Sequence, residues 1–207
     1  LSYDKRLGYL TCCPTNLGTA MRASVMVRLP GLTLSGRIKG VLDSVAKMGL
    51  TVRGLYGEGS EAIGSIYQIS NQVTLGVSEE DILQSVQSVA AQVIDAERQA
   101  RAALTHSRKV ELEDRLLRSY GVLSHARLLS SKEFMERLSD VWLAQDLGYL
   151  PNLPPQSLLQ VMIEAQPASI QRLAGHPLSD GERDERRAQL VRKTLFENTI
   201  PQGGNDT

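Results

Sequence analysis

Between residues 22 and 29 the chain alternates strictly. Ala23, Val25, Val27 and Leu29 are apolar, while Arg22, Ser24, Met26 and Arg28 fill the places between them. A period of two belongs to a half-buried strand, so this segment must lie in a sheet with one face against a core. The other face then carries two arginines, a hydroxyl and a thioether. Such a face is either a solvated sheet surface or the floor under an anionic ligand, and alternation alone does not separate the two. Just upstream, Cys12 and Cys13 stand in a turn broken by Pro14, Asn16 and Gly18.

The neighbouring segments read as the rest of a small α+β sheet domain. Tyr9 to Thr11 and Ala23 to Leu29 are strands around the cysteine turn, and Pro30-Gly31 ends the second. From Ser35, the apolar residues Ile38, Val41, Leu42, Val45 and Met48 fall at helical spacing, with Gly49 as the stop. Leu50 to Leu55 is strand-like, Gly57 to Gly64 is a glycine-rich loop, and Ser65 to Ile69 returns as a strand. Ser78-Glu79-Glu80-Asp81 then opens a long helix whose buried stripe is Ile82, Val86, Val89, Val93 and Ala96. After about Leu104 the strand patterns stop. Helices are expected around Lys109 to Tyr120, Ser131 to Leu147, Pro155 to Ala165 and Ser179 to Phe196, punctuated by Gly148, Pro151, Pro154, Pro155, Gly175 and Pro177. The expected organisation is a sheet domain over residues 1–104, an all-helical domain over 105–200 and a polar, disordered tail over 201–207.

Composition removes several classes of function. The formal charge is +0, so no global basic field argues for nucleic acid. Two adjacent cysteines make no disulfide framework, and no Cys/His spacing resembles a metal site. That cysteine usage suits a reducing cytoplasm, and no apolar run approaches membrane-spanning length. With six lysines among 23 basic residues, seventeen are arginines, which suits bidentate recognition of phosphate or carboxylate. His106, His125 and His176 are scattered. The chain opens at Leu1, close to a motif, and reads as the C-terminal part of a longer protein.

The run Cys13-Pro14-Thr15-Asn16-Leu17-Gly18-Thr19, followed by Arg22-Ala23-Ser24-Val25-Met26, resembles the signature of the ATP:guanidino phosphotransferases. A second part follows as Val52-Arg53-Gly54-Leu55-Tyr56-Gly57-Glu58-Gly59-Ser60-Glu61 and closes with Tyr67-Gln68-Ile69-Ser70-Asn71. The wording from Leu55 to Ser60 is similar to the bacterial protein-arginine kinases more than to the animal phosphagen kinases, and the helical region is shared with the former only. The resemblance implies a guanidino-kinase antiparallel sheet domain with flanking helices and a kinase that phosphorylates arginine side chains of proteins. ATP is the implied phosphoryl donor, with Mg²⁺ held through the nucleotide phosphates and no metal bound by the protein itself.

Phosphoryl transfer needs positive charge and positioning around the moving group, and arginine supplies both. By resemblance, Arg22, Ala23, Ser24, Val25 and Met26 contact ATP, as do Arg53, Gly54, Leu55, Tyr56, Gly57 and Glu58. Animal arginine kinases carry an arginine where Tyr56 stands, and a neutral phenol cannot replace that charge. The guanidinium acceptor needs a carboxylate to hold it and help remove its proton. The family's loop glutamate aligns with Glu61, while Glu58 remains an alternative. Cys13 matches the reactive cysteine, whose thiolate acts electrostatically, with nearby arginines expected to lower its pKa. Cys12 reads as a small packing residue.

In the last helix, Ser179 and Glu182 form a capping box ahead of Arg183-Asp184-Glu185-Arg186-Arg187-Ala188. Arg183 and Arg187 are four apart and share a face beside Asp184. The pattern fits either a solvated salt-bridge ladder or a phosphoarginine site, and the resemblance implies the second, as an allosteric reader. It also implies a homodimer, an activator protein, and a Clp protease that degrades the marked proteins under stress. The competing reading is a non-catalytic phosphoarginine-binding module.

Overall fold

The computed structural model describes residues 2–54, 62–150, 153 and 155–196. The chain forms two compact units, Leu1–Ser107 and Arg108–Thr207. The first is α+β. A hairpin pairs β1 (Ser2–Asp4) with β2 (Gly8–Leu10). A three-stranded antiparallel sheet follows, built from β3 (Ser24–Arg28), β4 (Leu50–Gly54) and β5 (Ile66–Asn71) in the order β3-β5-β4.

The alternation from residue 22 produces the expected sheet. Val27 and Leu29 are buried, with Val25 packed partly against the same core. Leu50, Tyr67 and Ile69 join them from the other strands. Covering this face are α2 (Ile38–Lys47), through Val45, and α3 (Glu79–Ser107), through Val86, Val89, Val93 and Ala100. Ser78 caps α3 reciprocally, its hydroxyl accepting from Asp81 N–H at 3.1 Å while Asp81 takes the Ser78 hydroxyl hydrogen at 2.6 Å. Those bonds from Ser78 hold the Asp81 carboxyl below its ordinary range.

One helix here was not legible as such. Pro30-Gly31 does end the strand, but it also opens α1 (Pro30–Leu34). A five-residue helix has no intrinsic stability, so its support must be tertiary. Glu97, buried on α3, accepts Gly31 N–H and Leu32 N–H, each at 2.8 Å, and is bonded by Arg101 Nε at 2.6 Å. Gly31 is required by this close approach, because a Cβ would fall 2.8 Å from Arg101 Cγ.

The second unit is helical among its described residues: α4 (Lys109–His125), α5 (Ser131–Asp146), α6 (Pro155–Glu164), α7 (Pro167–Ala174) and α8 (Asp180–Leu195). The sequence expectation stopped α4 five residues short and missed α7, an eight-residue helix begun by Pro167 and ended by Gly175 at φ +72. Asp140 on α5 is buried and ties α4 to α5. It accepts from Arg115 Nε at 3.1 Å and from the Ser119 hydroxyl at 2.8 Å.

Candidate functional site

The strand register sets several polar side chains on one face of the sheet. Met26 pairs with Gln68, which pairs with Arg53; one rung along, Ser24, Ser70 and Thr51 line up likewise. Side chains alternate across a sheet, so these residues share the face opposite the core. Gln68 Nε2 donates to Ser24 Oγ at 3.0 Å and fixes the middle of it. Arg22 stands just before β3, two residues ahead of Ser24, and between them Asn71 N–H donates to Ala23 O at 3.3 Å. Arg22, Ser24 and Met26 are exposed, whereas Ala23 and Val25 pack partly against the core. Within the expected nucleotide run, only alternate side chains are therefore available to a ligand. Arg53 is half-buried and Gly54 buried at the end of β4.

Leu55, Tyr56, Gly57, Glu58 and Glu61 lie outside the described residues.

The cysteine turn is held from two sides. Tyr9 and Gly18 exchange backbone hydrogen bonds at 2.7 and 3.2 Å, joining the turn to β2. Gly18 sits at φ +103, where a Cβ would strike Thr74 O at 2.2 Å, so only glycine fits. Cys13 is exposed, and its Sγ lies 3.0 Å from Thr15 Oγ1. The Thr15 hydroxyl, then the Thr15 backbone, hold the Cys13 thiol below its ordinary pKa against a small opposing effect of burial. The physical cause thus differs from the one the sequence suggested: among the described residues it is a threonine that stabilises the thiolate and not the arginines. Cys12 is also exposed, which corrects its reading as a packing residue. We expect iodoacetamide at neutral pH to alkylate Cys13 faster than Cys12, and Thr15→Val to remove most of that difference. Peptide mass spectrometry over time checks this; equal rates in the unsubstituted protein would be the contrary result.

On α8 the capping box is present, with Ser179 Oγ accepting from Glu182 N–H and Glu182 Oε2 accepting from Ser179 N–H at 2.8 Å. Bonds from Ser179, hydroxyl first and amide second, hold the Glu182 carboxyl below its usual range. The structure divides the cluster behind it. Glu185 and Arg186 are exposed, Arg183 and Asp184 half-buried, and Arg187 and Ala188 buried. Arg183 pairs with Asp180. Arg187 is 1% exposed and already occupied: its Nε donates to Ala165 O at 2.8 Å, and its Nη1 to Leu129 O at 2.7 Å and Asp184 Oδ1 at 2.6 Å. Arg183 and Arg187 therefore do not offer two equivalent forks on one exposed face. Helical spacing gave their angular relation, but which stripe of α8 faces the unit's core depends on the loop at Leu129 and the end of α6.

Sequence reasoning also passed over Thr74, whose hydroxyl lies 2.9 Å from Thr15 O and 2.7 Å from Leu17 O. A lone threonine after a strand carries no signal, since its partners are main-chain carbonyls some sixty residues earlier.

Comparison with known proteins agrees with this division. Residues 1–100 match the family described as ATP:guanido phosphotransferase, C-terminal catalytic domain, and residues 109–204 match the protein-arginine kinase McsB C-terminal domain. A protein-arginine kinase of Brevibacillus brevis is 51% identical over 194 residues, covering 94% of this chain and 54% of that protein. One from Bacillus velezensis is 52% identical over the same length, covering 94% and 53%. The crystal structure of a lombricine kinase is similar over 49% of this chain and 27% of that one, at 37% identity and a TM-score of 0.44. The chain spans about half the length of the curated relatives it matches. Residues 1–100 therefore belong to the ATP:guanido phosphotransferase C-terminal catalytic domain family, and residues 109–204 to the family of the protein-arginine kinase McsB C-terminal domain.

Proposed function

We propose that the polar face of the β3-β5-β4 sheet receives the phosphates of ATP, and that the intact protein moves the γ-phosphoryl group to arginine side chains of other proteins. The observation that carries this reading is the register, which puts Ser24, Gln68 and Arg53 on one face, with exposed Arg22 just before β3 and the thiol turn bonded to β2 and to Thr74 beyond β5. Guanidinium, amide and hydroxyl donors suit phosphate oxygens, and two arginines can neutralise charge that builds during transfer. Mg²⁺ carried by those oxygens would add to that neutralisation.

Arg22 and Arg53 orient the nucleotide in this scheme. The Cys13 thiolate, favoured by Thr15, faces the cationic acceptor and steadies it without forming a bond to phosphorus. Glu61, or Glu58 three residues before it, accepts the proton that the attacking nitrogen must lose. In the helical unit, Arg183 and Asp184 are the accessible members of a phosphoarginine reader, one for the phosphoryl oxygens and one for the guanidinium. Arg187 holds Asp184 in place from the buried side. By the same reading the protein acts in the cytoplasm as a homodimer, with an activator protein, and its products go to a Clp protease during stress.

Incubating the intact protein with Mg·ATP and an arginine-rich unfolded protein should give acid-labile phosphate located on arginine by mass spectrometry. Phosphoarginine binding without any transfer would replace the kinase by the non-catalytic reader. Phosphate on serine or threonine would refute both.

A further inference from the structure

Asn71 ends β5 and Thr74 lies three residues beyond it; both are buried, at 5% and 6% exposure. The Asn71 side chain bonds only to main chain. Its Oδ1 accepts Ala23 N–H at 2.8 Å, and its Nδ2 donates to Met21 O at 3.1 Å and Val73 O at 3.2 Å. The amide thus grips the backbone immediately before and after Arg22, in a stretch that precedes β3 and has no strand pairing of its own beyond Ala23. Thr74 does the same for the other arm. Its hydroxyl serves Thr15 O and Leu17 O, its carbonyl accepts Thr19 N–H at 3.0 Å, and Gly18 packs directly on that carbonyl.

We propose that Asn71 and Thr74 are positioning residues, Asn71 for the guanidinium of Arg22 and Thr74 for the thiol of Cys13, so that the four consecutive residues from Asn71, the last of β5, to Thr74 set the spacing between the nucleotide and acceptor halves of the site. The inference rests on the reading of Arg22 and Cys13 as site residues. Its physical basis is directional. A bond to each peptide flanking Arg22 fixes where that Cα stands relative to Gln68 and Arg53, and an error of about 1 Å at such a position lowers a transfer rate on the order of 10²-fold. Thr74 acts one step removed: it holds the Thr15 carbonyl, and Thr15 is the residue that bonds the Cys13 sulfur. The titratable side chains on the segments that meet at this turn are Cys12 in it, Tyr9 on β2 and Arg22 on the following arm, and none of the four consecutive residues is titratable.

The test separates the two arms. In Thr74→Val the pH midpoint of Cys13 alkylation should rise and its rate at pH 7 should fall about threefold or more, while Mg·ATP affinity stays as it was. Thr74→Ser should restore the profile. In Asn71→Ala, Mg·ATP affinity measured by calorimetry on the intact protein should fall about fivefold or more, with the Cys13 profile unmoved. Should that variant not fold, Asn71→Asp keeps the acceptor and loses both donors, and the same result is expected. Arg22→Ala is the control. If it leaves ATP affinity unchanged, the nucleotide face is misread and the Asn71 assignment goes with it. If Arg22→Ala weakens ATP but the Asn71 variants do not, only the Asn71 assignment fails. Both readouts moving together in every variant, in step with melting temperature, would show a merely structural role and overturn the proposal.

Discussion

Phosphoryl transfer by the Arg22→Ala protein is expected to fall by a factor on the order of 10²–10³, the range for losing one donor aimed at developing charge. Arg22 is exposed and packs against no core residue, so its removal should change stability by less than about 0.5 kcal/mol. That contrast makes the loss chemical in origin. Lysine at the same position keeps the charge but loses the two-pronged grip, and should recover only part of the rate. Arg53→Ala should cause a comparable loss, with some added destabilisation because Arg53 is half-buried on β4. Initial rates at saturating Mg·ATP, beside melting curves for each variant, decide the matter. Rates within threefold of the parent for both alanine variants would remove the sheet face from the active site.

The largest effect on stability is expected at Arg187. Substituting methionine retains the volume but leaves Ala165 O and Leu129 O without their donor and Asp184 without its ion partner. Removing one side of such a buried arrangement costs about 3–5 kcal/mol, a large share of the stability of a unit this size. Arg187→Lys should recover little, since one ammonium cannot point at three acceptors as the planar guanidinium does. The chain has a single tryptophan, Trp142, and it lies in α5 of the same unit. Urea unfolding followed by its fluorescence reports on the helical unit directly. A shift below about 1 kcal/mol would mean that the buried bonds of Arg187 contribute nothing net. Loss of phosphoarginine binding in Arg187 variants must accordingly be read beside that curve.

The α+β class and the three sheet strands were legible because one face of each strand is apolar and the period is short. Val25, Val27 and Leu29 announce their own orientation. Arg22 and Arg53 were singled out by motif, and only the register showed that Met26 and Arg53 flank Gln68 on the face opposite the core. What escaped sequence reasoning depends on partners distant in the chain. Glu97 falls within an apolar stripe of α3 and looks misplaced until its acceptors find Gly31 and Leu32. Thr74 has the same character. Arg187 shows the opposite error, where a charged residue in a charged run suggests solvent but the fold closes over it. The lowered pKa of Cys13 was anticipated in direction and not in cause, since a hydroxyl two residues away carries no charge pattern to read.

The bond between Glu97 and α1 spans sixty-six residues for Gly31 and sixty-five for Leu32. A ribosome making the chain from its N-terminus completes β3 and the Pro30–Leu34 segment well before Glu97 exists. At about 5–20 residues per second, that leaves the segment several seconds without the carboxylate that stops its two amides from seeking other partners. A five-residue stretch cannot hold a helix through such an interval. The first unit therefore cannot close its sheet-to-helix junction piece by piece during synthesis. It closes when α3 arrives, and a pause or truncation before Glu97 leaves β3 ending in an unformed turn.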